Sequence, residues 1–229
     1  MLSVIIPTLN AENGLAATLA ALARARNDRL IGEVIISDGG SRDGTGEIAR
    51  AHGAMVIEGA RGRGAQLRAG ARAACGDWLL FLHADTVPGP GWEAAVAGFI
   101  EGPTNQECAG VFRFALDDES RWARWLVRAV NWRTRVLGLP YGDQGLLIAR
   151  RLYGEIGGFR PMPIMEDVDL VRRLGRARIK VLEADAVTSA ARYVRAGYAR
   201  RVLRNLSCLG LYYLHVPPRV LLRLYRGRS

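Results

Sequence analysis

In the first part of the chain, short apolar runs alternate with longer segments whose apolar positions recur every three or four residues. Ser3–Ile6, Val34–Ser37, Ala54–Ile57 and Trp78–Leu82 have the length and the β-branched or aromatic content of strands. Between them, Gly14–Arg26, Thr45–His52 and Gln66–Ala74 carry helical periodicity, the first rich in Ala and Leu. This alternation predicts right-handed βαβ units and a parallel sheet with helices on both faces, an α/β architecture. The later pattern is less regular. Val111–Leu116 and Gln144–Ala149 read as strands, and a further strand lies near Lys180–Glu183. Arg121–Leu137 reads as a Trp-bearing amphipathic helix, and Met165–Leu174 as a helix that starts with acids and ends in arginines, as its dipole prefers. From Tyr198 onward arginines are interleaved with Leu, Val and Tyr, which divides the chain into a domain over 1–195 and a basic amphipathic tail over 196–229.

At 229 residues and 49% hydrophobic, the chain can bury a core as one domain with a tail. Its formal charge of +10 favours an anionic partner. The arginines gather at Arg61–Arg72 and Arg192–Arg228, without zinc-finger, helix-turn-helix or RNP-type patterns, so nucleic acid is not the expected partner. Three scattered cysteines (Cys75, Cys108, Cys208) support neither a disulfide framework nor a zinc site, and fit a reducing cytoplasm. The N-terminal MLSVIIPTLNAE reads as a first strand, not a signal peptide. In the tail, Arg204, His215, Arg219 and Arg223 interrupt the apolar residues and Pro217–Pro218 breaks any helix, so no membrane span is expected. Three fates remain open for it: packing on the domain, contact with a second subunit in a homodimer, or attachment to an anionic membrane surface, which would make the chain peripheral at the inner face of the membrane.

Polar residues stand just beyond three of the predicted strands. Pro7, Thr8, Leu9, Asn10 and Glu12 follow the first, Asp38 in SDGGSRDGT follows the second, and His83 and Asp85 in GDWLLFLHADT follow the fourth. Ligands of parallel sheets bind outside the strands' carboxyl ends, so one ligand could meet all three groups. Each motif also has a plainer reading. Asp85 before Thr and Pro can cap a turn, Asp38 lies among turn formers, and Glu166 and Asp167 can stabilise the amino end of the helix that follows.

The order VIIPTLNAE, VIISDGGSRDGT, ARGRGAQLRAGARAACGDWLLFLHADT, YGDQGLLIARRLYGEIGGF and MEDVDL resembles glycosyltransferase family 2, inverting enzymes of GT-A fold, over residues 1 to about 195. Within that family the chain is similar to the bacterial group labelled rSAM/selenodomain-associated or arsenosugar-biosynthesis glycosyltransferases. The resemblance implies a mostly parallel Rossmann-like sheet. It also implies transfer of a sugar from a nucleoside diphosphate sugar to the hydroxyl of a lipid or small-molecule acceptor, assisted by Mg²⁺ or Mn²⁺. Carried over residue by residue, Pro7, Thr8 and Glu12 would contact base and ribose, Asp38 would hydrogen-bond the base, and Arg63 would lie near the nucleotide. Asp85 would bind the metal that bridges the diphosphate. His83 stands where many relatives have the first aspartate of a DxD motif, leaving one carboxylate fewer, so it contacts ribose or packs at a strand end. Asp167 would be the base with Glu166 positioning it, and Asp143 and Gln144 would face the acceptor pocket or lie in a solvated loop. Two rival readings are a nucleotide-sugar-binding protein without transfer activity, and a nucleotidyltransferase, whose usual Gly-rich signature near the first strand is not found.

Overall fold

The protein is described from a computed structural model covering residues 1–59 and 61–226. Its frame is an eight-stranded sheet flanked by helices. Leu2, Val4, Ile5 and Ile6 of β1 (Leu2–Thr8) are all fully buried, as expected where helices cover both faces of a central strand. β1 pairs in parallel with β2 (Ile31–Asp38) on one side and β4 (Trp78–Phe81) on the other, and β3 (Met55–Glu58) extends the sheet beyond β2. The connecting helices are α1 (Glu12–Asn27), α2 (Thr45–Ala51) and α3 (Arg63–Ala73). Helix α3 lies flush on β1. A Cβ at Gly70 would sit 2.3 Å from Ile5 Cγ2, a contact that the sheet could accommodate only by shifting.

The sheet continues in the order β3-β2-β1-β4-β7-β6-β8-β5. β5 (Thr86–Pro88) and α4 (Trp92–Glu101) follow β4, and neither was marked in the sequence pattern. β6 (Ala109–Leu116), α5 (Arg121–Leu137), β7 (Leu146–Ala149) and α6 (Arg150–Glu155) come next, then α7 (Glu166–Leu174) and β8 (Ile179–Thr188). β7 runs antiparallel to both β4 and β6, whereas β6 and β8 pair in parallel. The strand expected over Gln144–Ala149 is therefore shorter, because residues 142–144 form a 3₁₀ turn. The strand expected near Lys180–Glu183 is longer.

One core cluster unites β1, β2, β4 and β7 with the covering helices, including an edge-to-face pair of Trp78 and Phe99 with centroids 5.7 Å apart. A second gathers Phe114, Leu126, Val130 and Tyr193. Against it pack Tyr198 and Val202, so the tail helices α9 (Tyr198–Tyr213) and α10 (Pro218–Arg226), which follow the short α8 (Ala191–Ala196), lie on the domain. Cys208 and Leu221 are buried there.

Candidate active site

The register of the parallel strands sets Thr8 opposite Asp38, and Ile5 opposite Phe81, so the carboxyl ends of β1, β2 and β4 form one rim. Asp38 is buried, and its two oxygens take four hydrogen bonds: from Thr8 Oγ1 (2.7 Å), Ser41 Oγ (2.6 Å), Gly40 N (2.9 Å) and Ser41 N (2.7 Å). Burial works to raise this carboxyl, but the hydrogen bonds from Ser41, Thr8 and Gly40 outweigh it and hold it below the ordinary range. Four accepted bonds use the lone pairs a carboxylate commonly offers, so Asp38 sets the shape of the 38–41 loop. Glu12 is exposed and accepts from Gly44 N at 2.9 Å, while Gln66 Nε2 donates to the carbonyls of Thr8 and Ser37 beneath the rim. Pro7 is half-buried beside them.

Across the rim stand the acids of α7 and of the 141–144 segment. Met165 precedes α7 with φ 65°, and the helix opens with Glu166, Asp167 and Asp169. Asp167 Oδ2 accepts from Gly142 N at 2.9 Å, and Oδ1 from Val168 N at 2.8 Å, which orients the carboxylate. A Cβ at Gly142 would lie 2.6 Å from His83 Nε2, so glycine is what lets the histidine approach this backbone beside Asp167. A small, largely apolar pocket with Leu82, Tyr141 and Leu170 in its wall also carries His83, Glu166 and Asp167. Burial, with Arg63 and Arg192 adding to it, pushes His83 well below the usual histidine range, and the ring is neutral at neutral pH.

Glu166 is 1% exposed, and Arg63 Nε at 3.5 Å is its salt-bridge partner. The Glu166 oxygen facing Arg63 is Oε1, and the contact is an ion pair without hydrogen-bond geometry, so Oε1 has no hydrogen-bond partner among the described residues. Burial raises its carboxyl to about 7; Asp167 adds to the rise and Arg63 opposes it. Asp143 Oδ1 is likewise buried without a hydrogen-bond partner among the described residues. Burial raises Asp143 to about 6; Asp167 and Asp85 add to it, and Arg133 and Arg63 resist. Arg63 itself feels Glu166, Asp167 and Asp85, which outweigh the burial of its charge and keep it cationic. The structure thus brings Arg63, His83, Asp85, Asp143, Glu166 and Asp167 to one place.

Gln144 is not part of that face. It is fully buried, with its Oε1 accepting from Thr134 Oγ1 at 2.8 Å and its Nε2 donating to Phe112 O at 3.0 Å, so it fastens α5 to β6 beneath the site. The expectation that it faces an acceptor pocket is corrected: both ends of its amide are spent inside. Two residues unmarked in the sequence belong to the site. Arg192, at the start of α8, pairs with Asp85 at 3.0 Å. Arg133 stacks on Tyr141 at 3.5 Å from its ring centroid. An arginine at the head of a basic stretch gives no sequence signal of an ion pair across more than a hundred positions.

Among the described residues no group of three or more His, Cys, Asp or Glu could hold a metal by itself. Asp85 contributes one carboxylate at the rim. Mg²⁺ or Mn²⁺ is commonly held by one or two carboxylates, with substrate phosphates and water completing its shell, so the residues fit a cation that arrives with a diphosphate.

Residues 3–163 match the family described as glycosyl transferase family 2. The low-salt glycan biosynthesis hexosyltransferase Agl6 of Haloferax volcanii is 47% identical over 58 residues, which are 25% of this chain and 14% of that protein. Glucosyl-3-phosphoglycerate synthase of Mycobacterium tuberculosis, solved with Mn²⁺, UDP and glucosyl-3-phosphoglycerate, superimposes with a TM-score of 0.60 at 24% identity, over 82% of this chain and 70% of that one. TarS of S. aureus gives a TM-score of 0.60 at 18% identity, over 81% of this chain and 57% of that one. The two solved structures share this fold.

Proposed function

Because the chain belongs to glycosyl transferase family 2, we propose that it moves a sugar from a nucleoside diphosphate sugar to an acceptor hydroxyl with inversion. The observation that carries this reading is the Arg63–Glu166 ion pair, which ties the helix on the nucleotide side to the acid pair of α7. One small site then holds both a cation for a leaving diphosphate and a carboxylate for an incoming hydroxyl. Asp167, oriented by Gly142 N–H, accepts the hydroxyl proton as the acceptor oxygen bonds to the anomeric carbon. The bond from that carbon to the diphosphate oxygen breaks on the opposite side, and its electron pair leaves with the nucleoside diphosphate.

Asp85 would hold a divalent cation, as the relative solved with Mn²⁺ suggests; when bound, that cation supplies charge neutralisation to the leaving diphosphate. Arg63 adds fixed positive charge to the same end. Arg192, paired with Asp85 at 3.0 Å, would add a second positive charge beside the diphosphate. Thr8, Pro7, Glu12 and the Asp38 loop shape the floor for base and ribose, and neutral His83 offers a ring nitrogen toward ribose or sugar. Asp143, raised by burial, supplies either a hydrogen-bond donor or an acceptor near neutral pH and so suits an acceptor hydroxyl.

The test is a panel of nucleoside diphosphate sugars titrated calorimetrically with and without Mn²⁺, followed by assay of nucleoside diphosphate release and NMR of the product's anomeric configuration. Metal-dependent binding with release and inversion is the expected outcome. Binding with no release would leave a binding protein. Pyrophosphate release from a nucleoside triphosphate and a sugar phosphate would make it a nucleotidyltransferase.

A further inference from the structure

Of the five tryptophans, Trp78 and Trp92 are buried and the other three sit on α5, where Trp122, Trp125 and Trp132 are 53%, 57% and 59% exposed. Their spacing, with Ala129 and the exposed Val136 completing the series, is that of a single stripe along a helix. The opposite face, with Leu126, Val130 and Thr134, is the buried one. Exposed Arg121, Arg124, Arg128 and Arg135 run along the outer edge of the stripe, and α5 holds no Asp or Glu.

Helix α9 repeats the device. Leu203 and Leu206 are 67% and 57% exposed, and with Gly210 and exposed Tyr213 they recur at the same spacing. Its inner side, through Tyr198 and Val202, packs on the same small core as Leu126 and Val130 of α5, so the two helices are neighbours. After Asp185 the chain has no acidic residue.

We infer that α5 and α9 together form a docking face for the surface of an anionic phospholipid bilayer, with the tryptophans and leucines entering the interface and the arginines meeting lipid phosphates. Soluble chains seldom expose three tryptophans along one helix stripe, and half-exposed tryptophans flanked by arginines are the chemistry of helices that lie in a membrane interface. Charge selects among occupants. A second copy placed face to face would set arginine against arginine, whereas an anionic surface complements them. No described helix is long and apolar enough to cross a bilayer, so the face lies on the surface.

The face is fastened to the site. Arg133 of α5 stacks on Tyr141, Thr134 of α5 holds Gln144, and Arg172 of α7 lies over the rings of Tyr212 and Tyr213 of α9. A protein docked this way presents its 141–144 segment and α7 near the lipid. The docking itself does not depend on sugar transfer.

The experiment uses the intact protein with vesicles of phosphatidylcholine alone or mixed equally with phosphatidylglycerol. Co-sedimentation with the anionic vesicles only, a blue shift of tryptophan emission, and release as salt rises through the range where the screening length falls below roughly 8 Å are the expected results. Replacing Trp122, Trp125 and Trp132 together by Ser should weaken vesicle binding roughly tenfold or more, while the melting temperature stays unchanged because these side chains make little of the core. Replacing Arg124, Arg128 and Arg135 by Gln should cost about fivefold per arginine on anionic vesicles and flatten the salt dependence. The inference is overturned if the intact protein ignores anionic vesicles or if the serine variant binds them as well as the parent. A stable dimer in light scattering that the serine variant dissociates would also overturn it, and would assign the face to a second copy.

Discussion

The rim at β1 and β2 and the acid cluster at α7 face one another, yet they treat their carboxylates in opposite ways. Asp38 accepts four hydrogen bonds and is held below the ordinary carboxyl range. Glu166 and Asp143 each keep a buried oxygen without a hydrogen-bond partner among the described residues, and both are raised toward neutrality. A polar group satisfied by its own loop stabilises the fold, whereas a buried one without a hydrogen-bond partner costs stability. The first side is a finished floor, and the second is chemistry held in reserve.

The sharpest way to break this contrast is Asp167→Asn. Turnover should fall by roughly 10²–10⁴ while affinity for the nucleoside diphosphate sugar changes little, since the lost proton acceptor acts in the transition state. An equal loss of affinity and rate would make Asp167 a ligand contact and dissolve the distinction. Next in size, Asp85→Asn should remove the tightening of nucleoside diphosphate binding by Mn²⁺, a loss of more than about tenfold, with the melting curve unchanged. Persistence of that metal dependence would move the cation to another residue.

Stability separates the two sides directly. Asp38→Ala should destabilise the protein by about 3 kcal/mol in denaturant titration, because Thr8, Ser41 and Gly40 lose a charged partner, whereas Asp143→Asn should be near neutral or stabilising. Similar losses from both would mean that Asp143 is as structural as Asp38. The sign with pH follows. Glu166 has a folded value of about 7, above its usual 4.5, so its protonated form favours the folded state. Its contribution is fully present below about 4.5 and lost as pH rises through about 7, on the order of 3 kcal/mol by pH 8. Part of any loss of stability between pH 5 and 8 should therefore vanish in Glu166→Gln. The smallest effect belongs to Arg192→Ala, which frees Asp85 from its partner and should tighten Mn²⁺ binding in the absence of nucleotide, read by water-proton relaxation, a few-fold at most for so exposed a pair.

Much of the first side is legible in the sequence because its strands are short apolar runs closed by turn residues, and their carboxyl ends carry the polar groups. Val34–Ser37 and Trp78–Leu82 lie within a residue or two of the observed strands or inside them. The second side is less legible for a physical reason. β7 is only four residues, fully buried and antiparallel to both neighbours, so nothing in its local pattern reveals its direction or its place between β4 and β6. The same lack of local signal misplaced Gln144, since a glutamine in a Gly-Asp-Gln turn looks solvated until Thr134 and Phe112 arrive from distant segments. Arg63 and Glu166, by contrast, stand in motifs that carry family resemblance, and the ion pair between them joins two such motifs.

The central place of β7 also bears on synthesis. β1, β2 and β4 emerge from the ribosome in an order that lets them pair as they appear, but the free edge of β4, Trp78–Phe81, is covered only by residues 146–149. A nascent chain that stops short of Leu146 thus presents an open, wholly apolar strand edge, the kind that recruits other chains, and this contact of long sequence separation sets a late step in folding. Truncations between residues 90 and 145 would be expected to aggregate even though the nucleotide-side strands are complete.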